Sequence, residues 1–330
     1  MKPGLHPLVM LALVAAVTLF GRVLPTWTLS LATIAASNAL IALGIVVLAR
    51  TGNVSFGQGL FFAGGGYGVA LVANAWGITD AVAQVIIGAV CGGLLGLVIG
   101  PLIARYSGIF FGMLTLALSM VLYGALVKSS ALGGSDGFNV GRPSLFGMIF
   151  NDTREADFML YAVSVITTGL AGIAATILFR SELGLVSLAV RENNLRVEYL
   201  GLSATRIITI NFVIAAIFAG ASGAFALMAQ RHIDPQFAYW TTSGEFVFVA
   251  VLAGYQSVAA VFVASVALEL VRSFSNLYLP NTWQLVLGIF LLGVILFLPR
   301  GIGSLWIRDR HKRIKPAAAI PVGAQKEAAQ

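Results

Sequence analysis

SELGLVSLAVRENNLRVEYLGLSATR occupies residues 181–206, and IITINFVIAAIFAGASGAFALMAQ follows it at 207–230. The first stretch, entered from Arg180, holds Glu182, Arg191, Glu192, Arg196, Glu198 and Arg206; the second holds no charge. A hydrocarbon core about 30 Å thick takes about 20 helical residues to cross. Residues 207–230 meet that length, as do 29–49, 81–104 and 158–179. The charged stretch is therefore a loop between two crossings. A chain that gathers its charge into one internal loop presents that loop to something.

Composition extends the same reading to the whole chain. Of 330 residues 58% are hydrophobic and 10% charged, against about 25% charged in ordinary soluble domains. Mean hydropathy is +0.93. The class is an all-α polytopic membrane protein, since every backbone group in lipid must be satisfied within a helix or a closed barrel. A barrel would alternate polar and apolar residues over about ten positions, and these runs do not. The net charge of +7 is badly placed for nucleic acid. Much of it lies in the central loop and in the tail, at Arg308, Arg310, Lys312 and Arg313, which is the mark of a cytoplasmic end. Cys91 stands alone, so it forms no internal disulfide and reads as a small packing residue. Lys2 before an apolar run at 8–20 resembles a signal peptide without a cleavage site and reads as an uncleaved first helix.

With the N-terminus inside, crossings fall at about 7–23, 28–49, 56–74, 81–103, 108–127, 158–179 and 207–229. The returns at Arg50, Arg105 and Arg180 each end on an arginine, as the positive-inside rule expects. The stretch 243–272 breaks this pattern, because one crossing there would leave the basic tail outside. Gly254-Tyr255-Gln256-Ser257 divides it into 246–253 and 258–271, and a re-entrant hairpin repairs the topology. A last crossing at 283–299 then brings the tail inside. The expectation is about eight full crossings plus the hairpin, about ten helical segments, with both termini inside. One membrane domain spans 1–315, with its loop at 180–206, and 316–330 forms a flexible cytoplasmic tail. Broken helices at membrane depth line cavities, so the hairpin, with Gly254, is a candidate pathway element.

Other motifs are weighed by their chemistry. Gly88, Gly92, Gly96 and Gly100 recur at i, i+4, which places a closely packed neighbour on that face, within this chain or in a partner. TGNVSFGQG at 51–59 sets Asn53, Ser55 and Gln58 beside flexible backbone at a helix start. It reads either as a helix cap or as a polar lining for a solute path. GGSDG, residues Gly133, Gly134, Ser135, Asp136 and Gly137, is turn chemistry on the outer face. It formally matches GxSxG, and GASG at 220–223 matches an intramembrane serine-protease pattern. Neither has a base: His6, His232 and His311 all lie outside helices. HExxH is absent, so no catalytic residue and no metal site is expected. No lysine follows a glycine, so the chain lacks a phosphate-binding P-loop, and any nucleotide belongs to another subunit. In the charged loop Leu185, Leu188, Leu195 and Tyr199 recur at helical spacing, and Asn193-Asn194 divides two short helices. The plain alternative is an amphipathic helix on the lipid surface, but its charges are mixed where such helices are basic.

These residues resemble the LivM-type permeases of branched-chain amino acid ABC importers. The loop pattern is carried by Ser181, Gly184, Ala189, Arg191, Glu192, Asn193, Leu200 and Gly201. SFGQ (Ser55, Phe56, Gly57, Gln58), TLA from Thr115, GGSDG, the 211–225 stretch, Pro235 with Phe237, and LPRG at 298–301 follow in family order. The resemblance implies a bacterial inner-membrane subunit paired with a second homologous permease. Two cytoplasmic ATPases would bind ATP and Mg, and a periplasmic or extracellular protein would deliver substrate. It implies that Gly184, Ala189, Arg191, Glu192, Asn193, Leu200 and Gly201 couple to the ATPases. Ser55, Phe56, Gly57, Gln58 and Thr115 would border the pathway, the rest of the surface facing lipid. Where the family has glycines at the hairpin turn, this chain has Ala253-Gly254-Tyr255-Gln256, Ala259-Ala260 and Ala264-Ser265, and Leu132 replaces a common threonine. That leaves the transport role intact and the solute open among branched-chain amino acids, urea, short amides and small acids. The alternatives are a self-sufficient secondary transporter or channel and, third, a membrane enzyme. A secondary transporter would carry ionisable groups deep in its helices, whereas Glu245, Glu269 and Arg272 read as lying near the outer ends of the hairpin.

Overall fold

Each long uncharged run folds as a helix. The computed structural model describes residues 7–148, 152–255, 257–280, 282–298 and 301–304. Its helices are α1 (Pro7–Phe20), α2 (Thr26–Ala49), α3 (Gln58–Trp76), α4 (Ala81–Ile103), α5 (Ile109–Lys128) and α6 (Thr153–Arg180). Then come α7 (Glu182–Glu192), α8 (Asn194–Tyr199), α9 (Ala204–Gln230), α10 (Trp240–Ala253), α11 (Val258–Tyr278) and α12 (Trp283–Phe297). Among the described residues 6 helices are long and apolar enough to cross a membrane: α2, α4, α5, α6, α9 and α11. Val9–Val23, α10 and α12 are shorter apolar helices. The basic residues beyond Ser304, and with them the tail at 316–330, lie outside the described residues.

Polar side chains set the helix starts. Asp80 Oδ1 accepts from the Val82 and Ala83 N–H groups at the head of α4, Asp152 from Arg154 on α6, and Ser203 from Arg206 on α9. These bonds satisfy amides that a helix start otherwise leaves without partners. Three boundaries differ from the sequence reading. The helix expected from 56 starts at Gln58, after an extended segment. The one expected from 158 starts at Thr153, on its Asp152 cap. The hairpin's second arm, expected to end at 271, runs on to Tyr278.

Helices α2 and α9 form the centre of the bundle and bury most of their surface, while α4, α5 and α6 bury one face. Their outer faces carry Ile86, Leu94, Leu97, Met113, Val121 and Ile177, all more than half exposed. In water that would be an adhesive apolar surface; against lipid it is the ordinary exterior. The α4 glycine face packs on α9 of the same chain. A Cβ on Gly88 would lie 2.6 Å from the Gly220 carbonyl oxygen, and one on Gly100 would lie 3.3 Å from Phe212 and Thr209. Gly220 answers from α9, where any Cβ would meet Gly88 and Gly92 backbone. The helices touch through their backbones, as small residues in lipid allow. The only strands among the described residues, β1 (Phe138–Asn139) and β2 (His232–Ile233), form an antiparallel pair at the end of the bundle opposite α7 and α8.

Candidate functional site

Two cavities lie along the seam between α2 and α10. The smaller, about 220 Å³, is bordered by Thr33, Ser37 and Asn38 of α2, Thr242, Glu245 and Phe246 of α10, and Arg272 of α11. The larger, about 800 Å³, is bordered by Ile45, Val46 and Ala49 of α2, Val247 and Ala250 of α10, Gly254 just beyond it, and Arg191 of α7. Successive stretches of the same two helices thus wall both. The smaller opens toward Asp234 and Gln236 at the β1–β2 end, and the larger reaches the α7 end.

Between α2, α10 and α11 sits a charged cluster. Asn38 Nδ2 donates to Glu269 Oε2 at 3.0 Å, and Arg272 Nη1 pairs with Glu245 Oε2 at 3.1 Å. Arg272 also lies over the Trp283 ring, 5.3 Å from its centroid. Glu269 is only 6% exposed. It lies about 17 Å along α11 from Val258, at 1.5 Å per residue, with two further turns of helix beyond it. For Glu269 the expectation of a place near the outer end of the hairpin is therefore corrected, while Glu245 and Arg272 line the cavity that opens toward the outer corner. Because α11 extends to Tyr278, its charges fall inside the helix, Glu269 against Asn38 midway along α2 and Arg272 one turn further out. Charged groups at such depth are costly and mark function by default. Nearby, Ser222 of the GASG motif donates to the Ser37 carbonyl at 2.8 Å, and Ser37 donates back to the Ser222 carbonyl at 3.0 Å. That pair joins α2 to α9.

The 51–57 segment runs extended along α5. Asn53 Oδ1 accepts from the Gly108 N–H at 3.1 Å, the Phe56 N–H donates to Thr115 Oγ1 at 3.2 Å, and the Gly59 N–H donates to Ser243 Oγ at 2.8 Å. A Cβ on Gly57 would collide with the Thr115 carbonyl, so only glycine fits there. Ser55, Gln58 and Thr115 are buried, while Phe56 is 40% exposed. None of these borders either cavity; of the pathway candidates, Gly254 does. Gln58 is fully buried with both Nε2 and Oε1 unpaired. Leaving such a group unsatisfied costs about 1–3 kcal/mol.

At the opposite end from β1 and β2, α6 turns sharply into α7. Ser181 caps α7 by accepting from the Gly184 N–H, and a Cβ on Gly184 would strike the Leu178 carbonyl. Asn193, with φ −162°, ends α7 and caps α8 by accepting from the Arg196 N–H at 3.1 Å. The loop does divide into two short helices there. Asn211 of α9 donates to Ser187 at 2.9 Å and ties α7 down. Leu200 and Gly201, at φ 82°, close the corner into α9. Glu192, Ala189, Leu195, Tyr199 and Leu200 are exposed. Arg191 turns back onto its own chain. Its guanidinium sits 3.7 Å above the Tyr255 ring centroid, and Nη1 donates to the Ala49 carbonyl at 3.4 Å. Gly52, at φ 86°, lets the chain pass beneath it. Arg50 lies 4.1 Å above Phe179; burial lowers its pKa from the usual guanidinium value, Tyr255 opposes that and Arg191 adds to it.

The GGSDG turn belongs to the other end. Gly133, Gly134 and Gly137 all adopt positive φ, and a Cβ on Gly137 would overlap the Ile233 carbonyl. The turn leads into β1, where Asn139 and His232 side chains lie 2.8 Å apart across the ladder. It so fixes the Asp234–Phe237 corner at the mouth of the smaller cavity. Ser135 and Asp136 are exposed and bond each other.

A family model described as branched-chain amino acid transport system / permease component matches residues 27–295. The chain belongs to that permease family. It is 27% identical over 301 residues to the high-affinity branched-chain amino acid transport system permease protein LivM of Salmonella typhimurium, spanning 83% of this chain and 69% of LivM. The same protein of Escherichia coli gives the same identity and coverage. LivH of Escherichia coli is 29% identical over 171 residues, half of this chain and 55% of LivH. No solved structure matches. The permease is a multi-pass inner-membrane protein, as its family and its apolar helices require. Sequence reasoning missed the Asn38–Glu269 and Glu245–Arg272 cluster and the stacking of Arg191 on Tyr255. For the cluster a signal was present: ionisable residues inside an apolar segment.

Proposed function

We propose that this permease is one half of the membrane channel of an ABC importer for small amino acids. A second homologous permease forms the other half, and two separate cytoplasmic subunits supply ATP and Mg. Its likeness to both LivM and LivH supports a pair of related halves. A soluble binding protein would deliver solute at the β1–β2 end. The α7–α8 end faces the cytoplasm, because Arg50, Arg105, Arg180, Arg196 and Arg206 collect there. In this orientation the segment 235–253 runs inward from the outer corner, Gly254–Ser257 turns beside Arg191, and α11 runs outward again. The crossings at α1–α6, α9 and α12 then number about eight, and the two arms of the hairpin add a passage in and back whose tip reaches the cytoplasmic end, α11 being itself long enough to cross.

One observation carries the mechanism. Helix α10 walls both cavities, and its tip is stacked under the charged loop by Arg191. A partner ATPase gripping Glu192, Leu195, Tyr199 and Leu200 would move α7, and α7 would move α10 relative to α2. Cysteines at Leu195 and Tyr199 in a Cys91→Ala background should cross-link to the ATPase subunits of the assembled complex. Failure of both, with the complex intact, would remove the docking role from this loop.

A second reading has a specific observation in its favour. The buried Glu269 and the half-buried Glu245 and Arg272 are the kind of groups that an ion-coupled carrier uses. Family membership outweighs it.

A further inference from the structure

We propose that the smaller cavity is a solute-selecting site within the permease itself, built to take the ammonium group of a small apolar α-amino acid; this rests on the importer reading above. At about 220 Å³ it lies below the usual range of about 300–1,000 Å³ for drug-sized ligands, so its occupant is small. Its wall has two characters. Phe62 stacks on Phe237 at 5.1 Å and meets Phe246 at 4.9 Å, giving a preformed aromatic side. Facing it are Asn38, Glu245 and Arg272.

The charges of this cluster do not balance. Glu245 and Glu269 bring two carboxylates against the one guanidinium of Arg272, with Glu269 held behind Asn38. Burying an excess carboxylate is expensive unless a proton or a cation compensates it. A neutral urea or amide supplies none, whereas an ammonium group does. Arg272 pairs with Glu245 through Nη1 and has five N–H donors in all, so it can also take a carboxylate. The aromatic wall suits an apolar side chain. Together these select a zwitterion with an apolar tail over a neutral amide. Occupation would also place the solute against Phe246, one residue before the stretch of α10 that walls the larger cavity.

The test uses the assembled importer in lipid nanodiscs without its binding protein, carrying Thr242→Cys on the cavity wall in a Cys91→Ala background. Alkylation of that cysteine is timed with millimolar L-leucine, with 4-methylpentanoate (the same skeleton without the ammonium) and with isovaleramide (neutral). L-Leucine should slow alkylation several-fold and the other two should not. The protection should vanish in Glu245→Gln, and in Glu245→Gln/Arg272→Gln, which removes both charges together should the single variant fail to fold. Absence of leucine protection in a complex that still takes up leucine with its binding protein would overturn the site and leave the importer reading standing. Equal protection by isovaleramide, or protection that survives in both variants, would also overturn it. Leucine protection in a complex that transports no amino acid would uphold the site and count against the importer reading.

Discussion

Replacing Tyr255 with alanine removes the aromatic face on which Arg191 lies, 3.7 Å above the ring centroid. A cation over an aromatic ring contributes about 0.5–1 kcal/mol at exposed sites and about 2 kcal/mol when desolvated. Tyr255 is half-buried and Arg191 is exposed, so about 1 kcal/mol is the reasonable figure. Since about 1.4 kcal/mol is tenfold, the equilibrium holding α7 on the hairpin tip should weaken about fivefold. The loop would then move without carrying α10 fully with it. Tyr255→Ala and Arg191→Ala should each raise the ATP hydrolysed per solute moved in the reconstituted importer, while Tyr255→Phe, which keeps the ring, should stay near wild type. The double variant should be no worse than Arg191→Ala, which also loses the 3.4 Å bond to the Ala49 carbonyl. That non-additivity is the signature of direct contact. Additive effects, or a Tyr255→Phe as uncoupled as Tyr255→Ala, would refute the reasoning.

Other expectations follow from the packing and the topology. Gly92→Leu should force α4 from α9 at a cost of about 1–3 kcal/mol or more and lower the yield of folded protein, while Gly124→Leu, with open space around it, should not; equal yields would mean the glycine face is incidental. Gln58→Met should keep or raise thermal stability, because it removes an unpaired buried amide, while lowering transport; a drop in melting temperature with normal transport would make Gln58 a structural residue. Cysteines at the exposed Gln236 and Asn276 should both label from outside with an impermeant reagent and one at Ser257 from inside; labelling of only one of the outer pair would mean that the hairpin reading is wrong.

The parts legible in the sequence were those where lipid leaves a single option. Arg180–Arg206 had to be a loop because its charges cannot sit in hydrocarbon, and Asn193 had to break it because its side chain serves best as a cap. The glycine face had to have a neighbour, though only the structure names α9. What was not legible depends on distant pairing. Glu269 and Arg272 end the apolar run, and local pattern alone places the end of the helix there. Glu269 is hydrogen-bonded in the fold by Asn38, 231 residues away, and Arg272 is paired with Glu245, so the helix continues past both. Arg191, expected as a coupling residue, also lies on Tyr255, which local spacing cannot reveal. Periodicity reports one helix at a time, and the site lies between helices.

The central claim is that ATP in separate subunits drives solute through this chain. The direct measurement is uptake of radiolabelled leucine into proteoliposomes holding this chain, its partner permease and the ATPases, with the binding protein outside and ATP enclosed. The account predicts uptake that needs hydrolysable ATP and the binding protein, is indifferent to proton and sodium gradients, and falls when Glu192→Arg weakens ATPase attachment. Leucine uptake by this chain alone, driven by an ion gradient without ATP, would contradict it.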